Sequence, residues 1–104
     1  MTGIFKKIFS SSFWFKEPEN TACFICNHIL KEKKSILLVF HEADGDWQFL
    51  CGSDNHSEDN IKIVSLKQVT KIDESVNQLF EMPLGYGAER ASGHMEWNPF
   101  IVNE

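Results

Sequence analysis

An α+β fold is predicted by three features of the sequence. The continuous apolar run Ile36 to Phe40 is followed by Asp44-Gly45, a strong signal for a β-hairpin. Two short helix signals lie between Ser65 and Phe80. Cys23 and Cys26 are answered downstream by Cys51 and His56, a set with the ligand types and spacing of one tetrahedral zinc site. The expected architecture is a small antiparallel sheet with a central β-hairpin, an N-terminal amphipathic helix and two short C-terminal helices, stapled by one structural zinc ion.

The chain has 104 residues, which suits one modest core near the size where a metal staple still adds stability. Two parts are expected: residues 1–20 as an N-terminal amphipathic helix and linker, and residues 21–104 as a zinc-stapled domain ending in an irregular tail. A hydrophobic fraction of 42% is ordinary for a folded globule. The net charge of -5 disfavours nucleic acid, which is held by clustered Lys and Arg, and favours a basic protein partner. The opening stretch Met1 to Ser10 lacks the unbroken apolar core and small-residue cleavage site of a secretory signal, so the expected address is the cytoplasm. Nothing in the sequence fixes the oligomeric state.

Ile4, Phe5, Ile8, Phe9 and Phe13 recur at helical spacing and predict a short amphipathic helix that docks on the domain's own sheet. Residues 4–15 are also the stretch suited to membrane contact, but Lys6 and Lys7 are too few cations to favour it. Phe24 to Leu30 suits a strand and Lys31 to Lys34 a polar turn. Ser35 to Glu42 reads as a central strand buried on both faces. A two-residue turn at Asp44-Gly45 would pair Glu42 with Trp47, Phe40 with Phe49 and Leu38 with Cys51, leaving His41 on the other face. Ile61 to Val64 is a further strand. Ser65-Leu-Lys-Gln68 matches a capping box that opens a helix with Leu66, Val69 and Ile72 inward. Asp73 to Ser75 caps a second helix carrying Val76, Leu79 and Phe80, which Pro83 ends. Leu84 to Glu104, with three glycines and Pro99, is expected to be irregular and tacked down by Trp97 and Phe100.

In the metal site, a Cys-x-x-Cys step lets two sulfurs converge, and the loop after Cys51 is long enough to return His56. His28, close behind Cys26, is the alternative fourth ligand. A redox reading needs the first thiol of the step, Cys23, at a helix N-terminus after a strand, a setting the sequence does not supply. The enzymatic alternative is a zinc-dependent hydrolase or a thiol-dependent enzyme using Cys51 and His56.

From Ser35 to Ile61 there is no Lys or Arg, whereas Glu42, Asp44, Asp46, Asp54, Glu58 and Asp59 crowd the hairpin tip and the following loop. Such a one-signed surface keeps a sheet soluble and also attracts a basic partner.

The segments Asp44-Gly-Asp-Trp-Gln-Phe-Leu-Cys-Gly52, Asn60-Ile61, Gln78-Leu-Phe-Glu-Met-Pro-Leu-Gly85 and Ala88-Glu-Arg90 resemble a family of small bacterial domains grouped with the immunity proteins of polymorphic toxin systems. The resemblance covers about Thr21 to Arg90. It implies an α+β fold and a protein that neutralises or regulates a partner by binding it. Cys23, Cys26, Cys51 and His56 stand where that family commonly has small, aliphatic or polar residues, which implies a metal-binding branch. Trp47, Tyr86 and Arg90 join the acidic residues as expected partner contacts, because aromatics and Arg dominate interface energetics. Trp47 also suits the core. The sequence therefore predicts a non-catalytic, zinc-binding interaction domain that holds a basic partner through an acidic hairpin.

Overall fold

The computed structural model describes residues 13–52 and 60–102. The N-terminal helix expected over residues 4–13 falls almost entirely outside this range, as do His56, Asp54, Glu58 and Asp59. The elements are β1 (Ala22–Cys26), α1 (Asn27–Glu32), β2 (Leu38–His41), β3 (Trp47–Leu50), β4 (Ile61–Ser65), α2 (Leu66–Ile72), a 3₁₀ helix (Glu74–Leu79), β5 (Tyr86–Glu89) and β6 (Asn98–Ile101).

Six strands form one sheet in the order β4-β1-β3-β2-β5-β6. The class is α+β, as expected, and the sheet is mostly antiparallel. The exception is β1, which runs parallel to β3 with Phe24 beside Gln48 and Ile25 beside Phe49. The run Leu38 to His41 lies between β3 and β5 and is a central strand.

The hairpin joins β2 to β3 where Asp44-Gly45 predicts it, but its register differs by one residue. His41 pairs with Trp47, Phe40 with Gln48, and Val39 with Phe49. A type I′ turn needs positive φ at both central residues. Here Gly45 adopts it (φ 100) and Asp44 does not. The Gly45 amide donates to Glu42 O (2.9 Å), the Glu42 amide donates to Asp46 O (2.8 Å), and Asp44 Oδ1 accepts from the Asp46 amide (3.0 Å). Ala43, Asp44 and Gly45 thus form a three-residue loop. Because strand side chains alternate with period two, the slip carries His41 to the face of Trp47 and moves Glu42 away from it.

Two further expectations are corrected. The stretch Phe24 to Leu30 is not one strand: after Cys26 the chain turns into α1, with Ile29 buried and Lys33 in the left-handed conformation (φ 59) that ends it. An apolar run this short does not separate strand from helix by periodicity. The stretch beginning at Leu84 is not mainly irregular, since β5 and β6 extend the sheet from β2. Gly87 permits this. A Cβ there would lie 2.7 Å from Phe100 and 2.9 Å from Phe40, whose rings meet edge to face above it.

One side of the sheet is covered. Ile25, Val39, Trp47, Phe49 and Ala88 are buried in a single cluster with Ile29, Leu66, Val69, Val76 and Leu79. Burial of side chains the size of Phe49 contributes about 2 kcal/mol each. Ser65 Oγ caps α2 through the Gln68 amide (3.1 Å), and Asp73 Oδ1 caps the 3₁₀ helix through the Ser75 amide (3.0 Å), both as the sequence indicates. Ile72 is exposed, contrary to the inward position expected of it. The alternate sheet residues Phe24, Gln48 and Phe40 are only half-buried, so the opposite side is the open one.

Candidate metal centre and binding face

β1 hands the chain to α1 beside the end of β3, and this junction gathers Cys26, His28 and Cys51. One ligand atom from each lies within 4.8 Å of the others. Cys51 Sγ is 3.6 Å from His28 Nδ1. On tetrahedral zinc, bond lengths of about 2.3 Å to sulfur and about 2.0 Å to nitrogen place two ligand atoms roughly 3.5 Å apart, so this spacing fits a metal. Burial pushes the Cys26 thiol above its ordinary pKa, opposed by the backbone amide of Ile29. A bound cation would reverse that balance and hold the thiolate.

Cys23 is not part of this group. Three residues apart on one extended strand, Cys23 and Cys26 point to opposite faces of the sheet, so the Cys-x-x-Cys step is not the expected knuckle. Cys23 is buried beside β4, its Sγ 3.5 Å from Val64 O, and burial pushes its pKa up to about 12. His28, the alternative ligand by sequence, is the histidine that the structure brings to Cys26 and Cys51.

The expected partner contacts divide sharply. Glu42, Asp44 and Asp46 are exposed at the hairpin tip. Trp47 is 1% exposed and Arg90 6%, and Tyr86 is half-buried. Arg90 is occupied within the chain: Nε donates to Ile36 O (3.0 Å), Nη1 to Ser75 Oγ (2.9 Å) and Nη2 to Asp73 Oδ2 (2.8 Å), while the guanidinium stacks 3.9 Å from the Trp97 ring. Trp47 donates from Nε1 to Glu17 Oε2 (2.9 Å) and stacks on His41 at 3.9 Å. His41 Nδ1 donates to Met82 O (2.7 Å). Glu17 and His41 thus tie the segment before β1 and the stretch after the 3₁₀ helix to the hairpin. Glu17 lies in the stretch that reads as a linker from sequence, and no local pattern marks it.

Also missed was a continuous row on the open side of the sheet. Ile63, Phe24, Gln48, Phe40, Gly87 and Phe100 stand side by side across all six strands. A clue lay in Ile61-Lys-Ile63, whose alternation leaves Ile63 66% exposed. No helix among the described residues is long and apolar enough to cross a membrane.

Helices on one face of the sheet, and an acidic hairpin closing the ends of its two central strands, define a small one-sided α+β domain. The chain belongs to the Imm33 immunity protein family, since the Immunity protein Imm33 domain matches residues 23–100. No curated protein and no solved structure matches the chain.

Proposed function

We propose that this chain is a non-catalytic immunity-type protein that neutralises or regulates a basic protein partner by binding it. Membership of the immunity protein family over residues 23–100 carries the reading. Exposed Glu42, Asp44 and Asp46 support the basic character of the partner, because complementary charge accelerates association and penalises wrong partners. Cys23, Cys26 and Cys51 form no disulfide, which suits a reducing compartment, and we place the activity in the cytoplasm.

A zinc ion on Cys26, His28 and Cys51 completes the proposal, with His56, five residues beyond Cys51 in sequence, as the fourth ligand. The ion supplies cross-linking charge rather than chemistry. Cys26 ends β1, His28 lies on α1 and Cys51 follows β3, so their shared ligation ties three elements together at the base of the hairpin. The competing reading is a zinc hydrolase. It draws on the three-ligand group and on a cavity of about 360 Å³ lined by His28, Glu32, Lys34, Cys51 and Gly52.

Affinity capture from the native cell, followed by expression of each retained protein alone and with this chain, tests the function. The proposal requires a retained basic protein that arrests growth alone and is silenced by co-expression. Growth arrest that the chain never relieves would contradict it.

A further inference from the structure

Beside the acidic hairpin, the open side of the sheet forms a groove of about 540 Å³. Its apolar part is Phe24, Ile61 and Ile63, with Gln48 on β3 beside Phe24, and its acidic part is Glu42, Asp44 and Asp46. Neither Lys nor Arg is among the described residues that line it. These side chains converge for topological reasons. β4 and β3 flank β1, which sets Ile63 and Gln48 on either side of Phe24. The hairpin closes directly beyond Gln48 and brings its carboxylates to the end of the same groove.

Resting on the reading of this chain as a partner-binding protein, we propose that this groove is the docking surface, and that it takes an amphipathic basic segment of the partner. An apolar side chain of that segment covers Phe24 and Ile63, while neighbouring Lys or Arg side chains meet Glu42, Asp44 and Asp46. Charge selects this occupant. Nucleic acid and anionic lipid would bring further negative charge to three exposed carboxylates, and a second copy docked about a two-fold axis would bring its own acidic hairpin to the same place. Ile63, among the most exposed large apolar side chains of the described fold, supplies the hydrophobic anchor beside the acidic rim, an arrangement common to specific interfaces.

Twelve-residue peptides of alternating Leu and Lys, of Leu and Glu, and of Ser and Lys serve as probes in NMR titrations of the full chain. The Leu-Lys peptide should shift the amides of Phe24, Gln48, Ile63 and Glu42, and bind more weakly as salt rises. The other two peptides, and the exposed-site variants Ile63→Lys and Asp44→Lys/Asp46→Lys, should each lose about tenfold in affinity. Shifts mapping to another face, or Ile63→Lys binding as wild type does, would overturn the surface. So would sedimentation showing a wild-type dimer that Ile63→Lys dissociates. The two proposals fail separately: rescue of growth that is unchanged in Ile63→Lys removes this groove and leaves the protective function. Groove-mapped peptide binding without any rescue removes the function and leaves the groove.

Discussion

Cys51 Sγ and His28 Nδ1 lie 3.6 Å apart although the residues are 23 positions apart in sequence, and Cys26 completes the group. The approach depends on β1 pairing with β3, which brings the start of α1 beside the residue that follows β3.

Elemental analysis of purified protein should therefore find one zinc per chain. Cys26→Ser and Cys51→Ser should lose the metal, His28→Gln should hold it more weakly, and Cys23→Ser should retain it. Removing a metal held at a hundred times its dissociation constant costs about 3 kcal/mol, so a strong chelator should lower Tm by about 12 °C in a domain of this size. Full zinc content in Cys26→Ser would contradict the ligand set.

Arg90 offers a separate test of stability. Its side chain is 1% exposed and its guanidinium is held by Ile36, Ser75 and Asp73, which joins β5 to the start of the 3₁₀ helix and, through Trp97, to the segment before β6. Arg90→Ala leaves Asp73, which is 23% exposed, without its cation, and the partial exposure sets the cost near 2–3 kcal/mol by chemical denaturation. Arg90→Lys should recover only part of this, since one ammonium cannot reproduce the three-pronged geometry. If Arg90→Ala weakened peptide binding in the groove while leaving stability unchanged, the residue would be a partner contact after all.

Gly87→Ala should cost about 1–3 kcal/mol through overpacking, because its Cβ would enter the Phe40 and Phe100 rings. Adding Phe100→Leu should restore part of the loss. A neutral Gly87→Ala would show that β6 is not seated on β5 as described.

The Cys23 thiol, raised from 9.0 to about 12 by burial, makes alkaline stability testable. Below pH 9 the thiol is protonated in both folded and unfolded chains. Between 9 and about 12 the unfolded chain releases this proton while the folded chain retains it, so stability is lost as pH rises. Cys23→Ala removes this contribution, and its unfolding midpoint in an alkaline titration should shift upward relative to its own neutral stability. An unchanged alkaline slope would show that Cys23 ionises freely in the fold.

The sequence disclosed those features whose causes are local. Ser65 and Asp73 cap their helices because a side-chain oxygen two or three residues upstream of an amide needs no tertiary partner. The run Ile36 to Phe40 announced a central strand by composition. The hairpin register was harder, since a Gly at positive φ serves both two-residue and three-residue loops, and the Asp44 side chain favours the longer one. Strands β5 and β6 were illegible because Gly87 weakens a strand unless Phe40 and Phe100 close over it. At the metal group, the residue types were readable but the partition was not. Cys23 and Cys26 look like a knuckle until the backbone between them proves extended, which sends Cys23 into the core and leaves Cys26 for His28 and Cys51.

Protection by binding, as proposed, consumes the chain stoichiometrically where catalysis would not, and a titration distinguishes the two. With the partner's activity as readout, added chain should reduce that activity in proportion and reach its floor at one equivalent, with full activity returning when high salt separates the pair. Complete and irreversible loss at a small fraction of one equivalent would mean that the chain turns over, and would contradict protection by binding.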